Sequence, residues 1–254
     1  MDFIGFCILK RNKSPVLSLS KIIVPTDFSK ESNEVIVYAA EIAEKTDAEI
    51  ILLHVEGKNN PDQLSNAQRE SEKAAREFLD AGLVNPTISL RIISVHGKVV
   101  PQIVETAKQE KASLIIMHTD GVSGLAKFFK NGHATKTVKE APCPVITIRN
   151  QPKEVRFEKL LLPLDMTKDT TQKVERIIEW AKTFNSEIYL VSVSVFFEGL
   201  THNLAELGRR LEAAANFIRQ QGLKCTTEMM KHEGVAAAVI EYAQEINPDL
   251  IVIM

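Results

Sequence analysis

The stretch Lys21-Ile-Ile-Val-Pro-Thr-Asp27 decides the fold, because it returns as Lys159-Leu-Leu-Leu-Pro-Leu-Asp165. The interval between these two stretches recurs between Glu49-Ile-Ile-Leu-Leu53 and Glu187-Ile-Tyr-Leu-Val191. It is slightly shorter between Val104-Glu-Thr-Ala107 and Ile240-Glu-Tyr-Ala243, and again between Leu114-Ile-Ile116 and Leu250-Ile-Val252. Anchors that recur in one order, with a single small change of spacing, mean that one structural unit occurs twice.

Within the first copy, short β-branched runs at 21–25, 49–55, 88–95, 113–117 and 145–148 read as strands buried on both faces. Between them lie helical spacings. Ile36, Ala39, Ala40 and Ala43 recur on one face of a helix that Asp27 or Ser29 can cap. Further helices are expected at 64–83, at 99–110 and ending near Lys139. Alternating strands and helices imply a parallel sheet covered on both faces, with ligands bound at the strands' C-terminal ends. The second copy repeats this order at 157–165, 169–183, 187–195, 204–221, 225–231, 235–246 and 249–254.

The expected domains are residues 21–150 and 157–254, joined by the linker Gln151-Pro-Lys-Glu154. Met254 is the counterpart of His118, so the second copy is expected to be incomplete, without its last helix and strand. Residues 1–20 are a leader that offers a candidate substitute. Arg11-Asn12 precedes Lys21 as Arg149-Asn150 precedes Lys159, and each pair follows an apolar run, Phe6–Leu9 or Val145–Ile148. Ile4–Leu9 is therefore a candidate surrogate fifth strand, pairing with the second copy or with a partner chain. The alternative is a leader with no part in the fold.

Composition narrows the function. The chain has 254 residues, 44% hydrophobic and 25% charged, with a formal net charge of −2. Its 31 basic and 33 acidic residues are interspersed, which reads as solvated surface and argues against nucleic-acid binding. No apolar run is long enough for a membrane span. The apolar stretch near the N-terminus lacks the flanks of a signal peptide. Cys7, Cys143 and Cys225 stand far apart without metal-ligand spacing and read as buried apolar residues in a reducing compartment. The expected location is cytoplasmic.

The segments Ile22-Ile-Val-Pro-Thr-Asp-Phe-Ser29, Ile51-Leu-Leu-His-Val55, Leu114-Ile-Ile-Met-His-Thr-Asp-Gly-Val-Ser-Gly124 and Ala141-Pro-Cys-Pro-Val-Ile146 resemble the universal stress protein family, in its tandem-domain form. The resemblance covers about residues 21–148 and again 157–254. It implies an α/β fold of two tandem doubly wound parallel sheets, each with strand order 3-2-1-4-5. It also implies a function in stress response, as a nucleotide-sensing or protein-interaction module. ATP-binding relatives carry a loop of the form Gly-x2-Gly-x9-Gly-Ser/Thr after strand four. There glycines admit backbone N–H groups to phosphates at a helix N-terminus.

This chain matches that loop in part. Gly121 and Gly124 are present, but His118 stands where the first glycine belongs, and Asn131-Gly132 replaces Gly-Ser. Asp27 matches the acidic position that contacts the nucleoside in ATP-binding relatives, and as a residue it is equally a helix cap. The implied site for ATP or a related adenine nucleotide comprises Pro25, Thr26, Asp27, Val55 and Met117 at strand ends. The loop contributes Gly121, Val122, Ser123 and Gly124, and the next helix Asn131, Gly132 and His133. Asp165 is read as a cap only.

Other constellations are weaker. His54, His96 and His118 fall near strand C-termini, but the implied strand order separates His96 from His118, so no metal is expected. No nucleophile–base pair, nucleophile elbow or P-loop occurs, so catalytic residues are not expected and the chain is read as a non-enzyme. The rivals are a slow ATPase or phosphotransferase using Asp27 and the 121–132 loop, and an interaction module that binds no nucleotide. Trp180, beside Ile177, Ile178 and Ala181, reads as core. Universal stress protein domains commonly pair through their fifth strands. An unpaired edge on the second copy would invite another chain, so a homo-oligomer is expected.

Overall fold

The computed structural model describes residues 5–8, 19–27, 29–57, 84–119, 132–148, 155–164, 170–195 and 203–253, with Arg69, Lys73, Glu77, Asp80 and Gly82. Most of the helix expected at 64–83 lies outside these residues. So do Ile4, Leu9, Phe28, Gly121, Val122, Ser123, Gly124, Asn131 and Asp165.

The described residues form two compact units. One takes in the described residues between Ser18 and Val155, and the other the N-terminal strand with the described residues from Arg156 onward. Strand β1 (Gly5–Ile8) belongs to the second unit and is described with it.

The first unit consists of β2 (Lys21–Thr26), α1 (Lys30–Thr46), β3 (Glu49–Glu56), β4 (Leu90–His96), α2 (Val99–Gln109), β5 (Leu114–His118), α3 (His133–Glu140) and β6 (Val145–Ile148). The strands are parallel in the order β4-β3-β2-β5-β6. This is the doubly wound 3-2-1-4-5 arrangement. Ile22, Ile23 and Val24 are fully buried, as β-branched residues on a strand covered by helices on both faces should be.

The second unit consists of β7 (Lys159–Leu164), α4 (Thr170–Phe184), β8 (Glu187–Val195), α5 (Asn203–Gln220), β9 (Cys225–His232), α6 (Val235–Ile246) and β10 (Leu250–Ile253). The two units share backbone features as well as element order. Asp47 and Asn185 both take positive φ, 56° and 54°, just after corresponding helices. Lys111 and Asn247 do the same at 54° and 47°. A left-handed residue closes each helix by satisfying its last carbonyls, and the two copies place it identically.

The strand order of the second unit is β1-β10-β7-β8-β9. β1 runs parallel to β10 in the register Gly5↔Leu250 through Ile8↔Ile253. It therefore stands beside β10 as β6 stands beside β5. The unpaired edge that motivated the expectation of a homo-oligomer is filled by the chain's own N-terminal strand. The physical reason is general: β10 is nearly all apolar and an unpaired backbone beside it would lose hydrogen bonds, so a strand from anywhere in the chain is favoured there.

In the second unit Leu161, Val191, Val239, Tyr242, Ala243 and Ile251 form one buried cluster. Trp180 is only 2% exposed and stacks on Phe184, with ring centroids 5.1 Å apart, beside Phe157. It is a core residue, as its helical neighbours suggest.

Candidate functional site

In the first unit the chain leaves β2 for β3 and β4 on one side, then returns to β5 on the other. β2 and β5 are direct neighbours, with Ile22 opposite Leu114 and Ile23 opposite Ile115. The two crossovers diverge at this point, so the C-terminal ends of β2 and β5 flank the crevice of a doubly wound sheet.

The end of β2 is built from within. Thr26 is 8% exposed, while Asp27 projects into solvent. The Asp27 carboxylate accepts a hydrogen bond from the Ser29 backbone N–H at 3.0 Å. This closes a tight turn into α1. The His54 ring donates from Nδ1 to the Thr26 carbonyl at 3.0 Å, which ties the end of β3 to the end of β2. In the second unit Ser192 holds the position of His54, and its hydroxyl donates to the Leu164 carbonyl at 3.0 Å. The same anchor is thus made by different chemistry.

The end of β5 is held from the other side. The Thr119 N–H donates to the Ile148 carbonyl at 2.8 Å, and Thr119 is 8% exposed. Met117 is buried and His118 half-buried. α3 begins with Gly132 as its N-cap, at φ −78° and ψ 163°, and no side chain caps it. A Cβ built on Gly132 would meet nothing within 4 Å. An uncapped helix start on the C-terminal side of a parallel sheet presents unsatisfied N–H groups and the positive end of the helix dipole.

Of the expected site residues, Pro25, Thr26 and Asp27 sit at the end of β2, Val55 on β3, Met117 on β5, and Gly132 and His133 at the start of α3. Gly121, Val122, Ser123, Gly124 and Asn131 lie outside the described residues. The sequence reading passed over Thr119. Its signal was a hydroxyl residue immediately after strand four, where an apolar run ends. β3 and β2 stand between β4 and β5, separating His96 from His118. Among the described residues no three His, Cys or carboxylate groups are arranged to hold a metal ion. His96 Nδ1 is buried without a hydrogen-bond partner, 3.9 Å from a Glu56 carboxylate oxygen.

These features define an α/β protein with a crevice at the switch point of a doubly wound sheet. The Universal stress protein family model matches residues 19–149, just over half of the chain, and the chain belongs to that family. A universal stress protein of Methanocaldococcus jannaschii is 28% identical over 143 residues, covering 53% of this chain and 84% of that protein. The crystal structure of a universal stress protein from Archaeoglobus fulgidus superposes with a TM-score of 0.72 at 19% identity, covering 94% of this chain and 86% of that one. A solved universal stress protein in complex with cAMP is 22% identical with a TM-score of 0.41, covering 52% of this chain and 98% of that one. A likeness of that grade transfers no ligand to this chain. Among the described residues no helix is long and apolar enough to cross a membrane.

Proposed function

We propose that the first unit is an adenine-nucleotide-sensing module that acts through occupancy of the crevice between β2 and β5. One observation carries this reading. The neighbouring ends of β2 and β5 leave Asp27 exposed on the side of the sheet where α3 begins without a cap. Asp27 would meet the hydroxyls of the nucleoside, and the first turn of α3 would meet the phosphates. His118 narrows the entrance where ATP-binding relatives carry a glycine, so the affinity expected is modest. On this reading the chain is a stress-response module of the cytoplasm and works by binding, not by turnover.

Calorimetry tests the proposal. Magnesium ATP should give saturable heat, and Asp27→Ala should weaken binding about tenfold, the worth of one good polar contact. No heat at millimolar magnesium ATP overturns the nucleotide reading. Steady phosphate release by the same sample overturns the non-catalytic part and makes the chain a slow ATPase or phosphotransferase.

A further inference from the structure

β9 ends the strand order of the second unit, and among the described residues no strand pairs with its outer side. Residues 204–235, which make this edge and its flanks, are all described. The pairing of β9 with β8 runs unbroken from Ile188↔Cys225 to Val195↔His232, so no bulge blunts the edge. The Ile188 N–H donates to the Lys224 carbonyl, which therefore turns toward β8. Backbone groups alternate along a strand. Those of Thr226, Glu228, Met230 and His232 thus also turn toward β8, and those of Thr227, Met229 and Lys231 turn outward. Both ends of the outward stretch are closed. The Arg219 guanidinium donates to the Cys225 carbonyl at 3.2 and 3.1 Å, and the Gly234 N–H donates to His232 Nδ1 at 3.0 Å. The open backbone groups are therefore symmetric about Met229.

Side chains mark the same residue. Met229 is 43% exposed, and Glu228 and Lys231 beside it are exposed. On β4, which holds the same place in the first unit, every residue is half-buried. Gly208, inside α5, lies against Met229. A Cβ built on Gly208 would stand 3.8 Å from the Met229 methyl, an ordinary contact. The helix thus has room for a side chain there, and glycine costs it backbone entropy. What glycine provides is close approach for another surface.

We propose that β9 is a self-association edge, pairing antiparallel with β9 of a second copy about a two-fold axis at Met229. This edge is distinct from the fifth-strand position, which β1 fills. A two-fold axis requires a surface that matches itself, and this edge does. Thr227 faces Lys231 of the second copy, and the outward groups from Thr227 to Lys231 all find partners. Met229 packs on Met229 of the second copy where the two Gly208 positions let the α5 helices approach. No like charges stand directly opposite. Glu228 faces Met230 of the second copy and meets the other Glu228 only on the diagonal, where salt screens it. The contact is one strand and one helix flank, so the dimer is weak and forms at high concentration.

The test uses the full chain, labelled with nitrogen-15. Sedimentation equilibrium should show monomers giving way to dimers between about 10 μM and about 1 mM protein. Over the same range amide exchange of Thr227, Met229 and Lys231 should slow, while that of Glu228 and Met230, already bonded to β8, stays as it is. Met229→Lys sets two ammonium groups face to face and should weaken the dimer about tenfold or more. Gly208→Gln should raise the thermal midpoint of the second unit and yet weaken the dimer, a pairing of effects that a purely structural glycine would not give. A chain that stays monomeric at about 1 mM overturns the proposal. So does a dimer that Met229→Lys leaves intact, or one whose slowed amides lie outside 227–231. A dimer as tight in Gly208→Gln as in the parent removes the axis from Met229 and overturns it too.

Discussion

The two units begin their first strand in the same register and with different chemistry. In the first unit the Lys21 ammonium lies 2.8 Å from Glu110, and Arg91 spans Glu110 at 2.7 Å and Glu49 at 2.9 Å. In the second, Lys159 faces Glu187 across the strands as Lys21 faces Glu49. There, however, Thr226 stands for Arg91 and Ile246 for Glu110. Lys159 turns to the Ile246 backbone carbonyl at 3.0 Å, and Glu187 accepts from Tyr189 and Thr226. The buried ladder is common to both units while the partly exposed charges differ. That is expected where each exposed ion pair contributes little and each buried backbone group must be satisfied.

A second pair at the same end supports this lesson. The Ser113 hydroxyl accepts from the Lys21 N–H at 3.0 Å, and its counterpart Asp249 accepts from the Lys159 N–H at 2.8 Å. Replacing the group that serves the backbone should therefore cost most. Asp249→Ala leaves that N–H without its partner and should destabilise the second unit by about 2 kcal/mol. Asp249→Ser, which copies the first unit, should stay within about 1 kcal/mol of the parent. Hydrogen exchange resolved by unit reads both, since two units need not unfold together. Equal losses for the two variants would mean that the carboxylate itself is required.

Breaking the charged network should cost less. Glu110→Ile copies the second unit and should lower the stability of the first by about 1 kcal/mol, an effect that salt diminishes. Acid should separate the units in the same way. Hydrogen bonds from Arg91 and then Lys21 hold the Glu110 carboxyl well below its ordinary 4.5, at about 2. Its stabilisation is complete above about pH 4.5 and is lost as pH falls toward 2. Burial instead raises the Asp249 carboxyl above its ordinary value, against the pull of the Lys159 N–H. Its ionised form is the disfavoured one, so the second unit gains from this group as pH falls through the raised value. Exchange protection that declined equally in both units on acidification would break the comparison.

The smallest effect tests the start of α3, which has no counterpart among the described residues of the second unit. Gly132→Ser fits the space beside that residue and adds a capping hydroxyl. It should stabilise the first unit by a few tenths of a kcal/mol, read as a shift in denaturant midpoint. A loss of stability would mean that the open helix start holds something the hydroxyl displaces.

The elements that the duplication marks were legible in residue order. Strand and helix positions follow from apolar period, and the neighbouring of β2 and β5 follows from right-handed crossovers in a doubly wound sheet. The place of Asp27 at the end of β2 was legible for the same reason. Less legible was the role of its neighbours. The bond from His54 to the Thr26 carbonyl and the hold of Thr119 on Ile148 join strands far apart in sequence, and periodicity carries no record of partners.

Local order was therefore sufficient for what repeats with a period: two copies, their parallel strands, the helices between them and the crevice at the switch point. Tertiary structure alone decided the rest. Arg91 and Glu110 read as scattered surface charges until the fold set them 2.7 Å apart. Ile4–Leu9 read as a candidate fifth strand with two possible mates, and only the pairing of Gly5–Ile8 with β10 chose between them. Burial is set by what another segment brings to a surface, and the residues of that surface cannot encode it alone.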